Sequence, residues 1–131
     1  NFGSRLCLTH PFDIKKDIMW TVELKPEVEK WMLALPMSQF SLVLPLVERL
    51  AEIGNQMSFP HSKSLGAGLF ELRFNNANQT WRITYYFASD RRIVLLTVFA
   101  KQRLNERHQI QRARHALTRC QTEHYGKDHT S

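Results

Sequence analysis

LFELRFNNANQTWRITYYFASDRRIVLLTVFA, Leu69 to Ala100, is the stretch that decides how this chain folds. Its first run, Leu69–Phe74, alternates Phe70, Leu72 and Phe74 with Glu71 and Arg73. Its second, Trp81–Phe87, alternates Trp81, Ile83, Tyr85 and Phe87 with Arg82, Thr84 and Tyr86. Side chains of a strand point to opposite faces in turn, so each run predicts a strand with one buried face. The third run, Arg92–Ala100, is almost continuously apolar and reads as a strand buried on both faces. The connectors NNANQ and ASDR have turn composition, which makes the three runs an antiparallel meander.

Upstream of the meander, Met19–Leu24 alternates Trp20, Val22 and Leu24 with Thr21 and Glu23, a first strand. Pro26 suits the first position of a helix, and Glu27 and Glu29 suit its positive end. Val28, Trp31, Met32 and Leu35 follow at helical spacing before Pro36. Phe40, Val43, Leu44, Val47, Leu50 and Ala51 mark a second helix closed by Gly54, with Pro45 in its first turn or kinking it. Trp20, Trp31, Phe70 and Phe74 are expected in the core. Downstream, Asn105 caps a last helix with Ile110, Ala113 and Leu117 inward and Arg107, Arg112, Arg114 and Arg119 outward. The order is β-α-α-β-β-β-α: an α+β domain over residues 19–119, two helices on one face of a small twisted sheet. Residues 120–131 read as a polar tail, and residues 1–18 as a leader or vector-derived extension before a natural start at Met19.

The chain has 131 residues, 43% hydrophobic and 23% charged, the size and composition of one globular domain. Its two cysteines, Cys7 and Cys120, have no metal or disulfide spacing, which fits a reducing cytoplasm. The longest apolar run, Leu42–Val47, is far short of the roughly 20 residues that span a bilayer. Net charge is +6, and all of the excess lies in residues 61–119, which hold 11 Lys/Arg against 3 Asp/Glu. A segment that cationic suits a polyanionic partner.

With this element order, the run HSKSLGAGLFELRF, then WRITYYF, then RRIVLLTVFAKQR and an arginine-rich helix resembles the RelE/ParE toxin superfamily. The similarity extends to its HigB-like branch, whose Lys-x-Leu and Gly-Leu-x-Glu-Leu-Arg pattern falls on Lys63, Leu65, Gly68, Leu69, Glu71, Leu72 and Arg73. The resemblance covers about Met19 to Arg119. It implies the toxin of a type II toxin-antitoxin pair, a ribosome-dependent mRNA endoribonuclease restrained by a cognate antitoxin, itself expected to be a helix-turn-helix DNA-binding protein. The same fold also serves ParE-like toxins that poison DNA gyrase without catalysis, and a basic RNA-binding domain without toxicity is a third possibility. Fold alone does not choose among them.

Metal-free RNA cleavage needs a base for the 2′-hydroxyl, cations for the charge gathering on phosphate, and a proton donor for the departing 5′-oxygen. That scheme requires neither metal nor cofactor. Arg82 matches the strand arginine that the resemblance sets on the scissile phosphate, and parity should expose it beside Arg73, near Lys101 and Arg103. Gln102 stands where the family carries an arginine, so Lys101 or Arg103 inherits that duty. His108, six residues on, occupies the place of a proton-transferring tyrosine; an imidazole titrates near neutrality and suits that role. Lys63, Arg73, Arg107 and Arg112 are expected to bind RNA, and Tyr86 to face the basic side where a base could stack. His61 is a secondary proton-transfer candidate. Each basic residue also has a plain reading as a solvated surface charge, and Arg82 as an exposed partner of Glu71 or Asp90.

Overall fold

A computed structural model describes residues 19–58, 60–76, 78–102 and 104–130, with side chains as far as Glu123. The proposed leader at 1–18 and Arg103 lie outside the described residues. The elements are β1 (Thr21–Leu24), α1 (Pro26–Leu33), α2 (Met37–Ile53), β2 (Ser62–Gly66), β3 (Leu69–Asn76), β4 (Gln79–Ala88), β5 (Arg92–Ala100) and α3 (Glu106–Thr130). The sheet runs β1-β5-β4-β3-β2, with β1 parallel to β5 and every other pair antiparallel. This is the expected α+β arrangement. No helix among the described residues is long and apolar enough to cross a membrane.

The period-2 runs land as read. Leu72, Phe74, Ile83 and Tyr85 join Val22, Leu24, Ile93 and Leu95 beneath Val28 and Met32 of α1 and Val43, Val47 and Leu50 of α2. Burying a side chain of this kind contributes about 1.5–3 kcal/mol, and this layer is the larger of the two apolar clusters. Pro26 opens α1 and Pro36 occupies the cap position of α2, while Pro45 stays inside α2, on its exposed side. Gly54 closes α2 with φ of +54°, and a Cβ there would lie 2.0 Å from the Trp20 indole nitrogen. Only glycine lets that indole close the layer.

Three elements depart from the expectation. SKSLG forms a fifth strand, β2, that its pattern concealed. As an edge strand it has one neighbour and is largely exposed, so little selects for apolar alternation. The polar tail is not separate: α3 continues through Thr130, and Cys120 extends the inward series Ala113, Leu117. Lastly, β5 carries a bulge, because Thr84 pairs with Thr97 but Tyr85 with Leu95. The extra residue reverses the parity of the remainder of the strand, so Leu96 and Thr97 both face α3.

The helix α3 lies on the face of the sheet opposite α1 and α2. Ala113, Leu117 and Cys120 meet Leu69, Tyr86, Val94 and Leu96 there in a second, smaller core. Two arginines expected to point outward instead fasten it at both sides. Arg112 grips both carboxylate oxygens of Glu27 at 2.6 and 2.9 Å, and Arg114 donates to the carbonyls of Leu65 at 2.5 Å and Gly66 at 3.1 Å. Glu27 in turn accepts the Val98 N–H at 3.0 Å, tying α1, β5 and α3 together.

Candidate functional site

Register places the chemistry-bearing residues of β2 to β5 on the α3 face in two rows. Lys63, Glu71, Thr84 and Thr97 are successive cross-strand partners, and Arg73, Arg82 and Phe99 form the next row. Directly opposed residues share a face, so parity alone brings Arg73 and Arg82 side by side. Two guanidinium groups so placed repel. Glu71, two residues before Arg73 on the same strand, answers the repulsion: Arg82 Nη1 donates to its Oε2, and Arg73 Nε lies 3.7 Å from the same oxygen. Behind them the Thr84 and Thr97 hydroxyls are hydrogen-bonded at 2.6 Å.

Burial corrects the expectation for Arg82. Its residue is 1% exposed and Glu71 0%, whereas an exposed arginine was expected. Side-chain alternation says which face a strand residue takes, not whether that face is covered. The pair is also incomplete, since Glu71 Oε1 and Arg82 Nε are both buried without a hydrogen-bond partner. Leaving a buried polar atom unsatisfied costs about 1–3 kcal/mol. Arg73, with 23% of its side chain exposed, is the member of the group that reaches the surface.

Tyr86 is also corrected. It does face away from Tyr85, but α3 covers it, and its hydroxyl donates to Cys120 Sγ at 3.0 Å. Burial, and then that bond, push its phenol well above the usual range, so it remains a neutral side chain rather than a stacking platform. Tyr85 lies in the main core as expected, where burial raises its phenol and the hydrogen bond with Ser62 partly offsets this. Arg112 is engaged with Glu27 and with Val98 O, so its guanidinium serves the fold.

Other candidates stay at the surface. Lys63 is exposed on edge strand β2 in register with Glu71. Lys101 is exposed just past β5, its N–H bonded to Thr80 O at 2.8 Å. Arg107 and His108 are exposed in the first turn of α3, and His61 is exposed at the turn before β2 with its carbonyl accepting the Arg73 N–H at 2.8 Å. Gln102 accepts the Asn105 side-chain N–H at 3.3 Å. Asn105 still holds the cap position, its carbonyl accepting the Gln109 N–H at 3.0 Å.

The residue that sequence reasoning undervalued is Glu71, noted only as a possible partner for Arg82. Its signal was present: Glu71 and Arg73 are spaced i, i+2 in a strand, and one turn later Arg82 sits at the opposing position. A separate cleft of about 240 Å³ lies between α1, β5 and α3, lined by Lys25, Glu27, Arg112, Arg119, Thr97 and Cys120. Its charges are largely paired, through Arg112 with Glu27 and through Lys25, 4.0 Å from Glu123.

No curated protein sequence matches this chain. The family model described as Phage derived protein Gp49-like (DUF891) matches residues 30–121, which takes in every helix and strand except β1 in whole or part. With that match across most of the fold, the chain belongs to the Gp49-like family, within the RelE/ParE-like toxin superfamily.

Proposed function

We propose that this protein is the toxin of a type II toxin-antitoxin pair, of the HigB-like branch, and that it cleaves mRNA on the ribosome through the 2′-hydroxyl without a metal. The observation that carries the reading is the paired Arg73 and Arg82, two guanidiniums in register on one sheet face with one carboxylate between them and one Arg82 nitrogen still without an acceptor. A phosphodiester supplies the missing acceptor, and arginine donors strengthen as charge accumulates on it. Lys63 and Lys101 add positive charge at the rims of this face. His108 is the proton donor for the departing 5′-oxygen, and Arg103 and Arg107 hold the RNA strand. The partner is an antitoxin with an acidic or helical segment that covers the basic surface, and the working location is the cytoplasm, on ribosomes.

One observation favours the gyrase-poison reading instead: Arg82 is covered in the free chain, as a purely structural ion pair would be. Induction of the protein separates the two. A ribonuclease stops protein synthesis first and leaves breaks within codons of ribosome-bound messages, and His108→Ala weakens cleavage while sparing RNA binding. Early double-strand DNA breaks with intact mRNA would establish the gyrase reading.

A further inference from the structure

The two orphaned atoms are complementary to one another. Glu71 Oε1 can only accept a proton and Arg82 Nε–H can only donate one; both are buried without a partner, on either side of the contact that Arg82 Nη1 makes with Glu71 Oε2. A ligand that completes both must present a hydroxyl donor next to an anionic acceptor. A ribonucleotide has that pair at every linkage, its 2′-hydroxyl beside the adjoining phosphate oxygen; deoxyribonucleotides have only the acceptor.

Resting on the ribonuclease reading, we infer that Glu71 is the catalytic base. As RNA enters, Arg82 Nε–H binds a non-bridging phosphate oxygen and the 2′-hydroxyl donates to Glu71 Oε1. The carboxylate takes that proton while the 2′-oxygen bonds to phosphorus. The bond from phosphorus to the 5′-oxygen breaks, and the leaving oxygen keeps its electron pair and receives a proton from His108. The products are a 2′,3′-cyclic phosphate and a 5′-hydroxyl. Arg82 Nη1 donates to Glu71, and the same guanidinium meets the phosphate, so base and electrophile are aligned by one side chain. Both atoms are covered in the free chain, so RNA must part the side chains over them. Partly exposed Arg73 marks the side from which it does so.

Glu71→Gln tests the assignment, because the amide keeps the shape and an acceptor for Arg82 but cannot take the proton. Purified wild-type protein is first mixed with ribosomes carrying a defined message. If it leaves the message intact, the ribonuclease reading fails and the base assignment with it. If the wild type cuts, E71Q is expected to melt below the wild-type temperature, because buried Arg82 loses its counter-charge, and, at a temperature where it is folded, to bind the same complexes as tightly and to cleave on the order of a hundredfold or more slower. Glu71→Asp, which retains a carboxylate, is expected to recover part of the loss. A folded E71Q that cuts within about threefold of wild type would overturn the inference and leave the ribonuclease reading standing. Should E71Q fail to fold, the wild-type single-turnover rate between about pH 6 and about pH 8.5 decides the matter. A carboxylate base gives a rate that stays level or falls as pH rises, whereas a rate climbing about tenfold per pH unit through neutrality would assign the base to an imidazole or amine.

Discussion

The two faces of the sheet are built on opposite principles. Beneath α1 and α2, strand after strand contributes an apolar side chain, and this layer is held by area removed from water. Beneath α3, the apolar cluster is small and gives way to Glu71, Arg82, Thr84 and Thr97, all of them buried. Even the helix over that face is fastened by arginines as well as by packing. A buried ion pair stabilises little, because desolvating two charges offsets most of their attraction. Its presence where aliphatic residues would serve better for stability is what sets the α3 face apart from the other.

The largest expected effect comes from breaking the ion pair from one side. An exposed Arg82 could be removed without harm to the fold; the buried one cannot, and Arg82→Ala should destabilise by about 3–5 kcal/mol by leaving Glu71 as an isolated buried charge. Replacing both residues together, Glu71→Leu with Arg82→Leu, should return stability to the wild-type level or above. Urea midpoints of the three proteins measure this, and an R82A protein within about 0.5 kcal/mol of wild type would remove the contrast between the faces.

On the apolar face, Leu50→Ala should cost about 2–5 kcal/mol through lost burial and the cavity left behind. Here no companion mutation of a single neighbour should restore the loss, and a double mutant that did would mean this layer too rests on pairwise contacts.

A smaller effect is expected from the fastenings of α3. Arg112→Ala and Arg114→Ala should each cost about 1 kcal/mol or less, since both side chains are partly exposed. Hydrogen exchange is the sharper measurement: amides of α3 should exchange faster while those of α2 keep their protection. Equal loss in both helices would show that the faces do not open separately.

The smallest effect concerns Tyr86. Its folded phenol lies above the ordinary value, so its contribution to stability is fully present below about pH 10 and falls as pH rises beyond that, when the unfolded phenol ionises and the folded one does not. Tyr86→Phe should cost about 1 kcal/mol or less at neutral pH, and should make the alkaline decline in stability shallower. An unchanged alkaline slope would place that sensitivity elsewhere, with buried Tyr85 the first alternative.

Much of this molecule was legible from periodicity. An alternation such as Phe70, Leu72, Phe74 can bury its apolar members on only one side, so β3, β4 and their facing to the helices followed from local pattern. Pro26, Pro36 and Gly54 set helix limits for reasons that lie in their own backbones. Parity likewise put Arg73, Arg82 and Tyr86 on one face, and that much holds. The strand β2 was hidden because an exposed edge imposes little pattern on its side chains.

What covered that face could not be read along the chain. Burial is set by elements distant in sequence: α3 lies over Tyr86 and gives it Cys120, 34 residues away, as a partner. A bulge in β5 turns both Leu96 and Thr97 to the same side, which no alternation rule anticipates. The pairing of Glu71 with Arg82 depends on the register of β3 against β4, and register is a property of two strands together. Residue types and their spacing were therefore enough to name the layers and the cations, while the closed ion pair and its two unsatisfied atoms arise only when the strands are laid side by side.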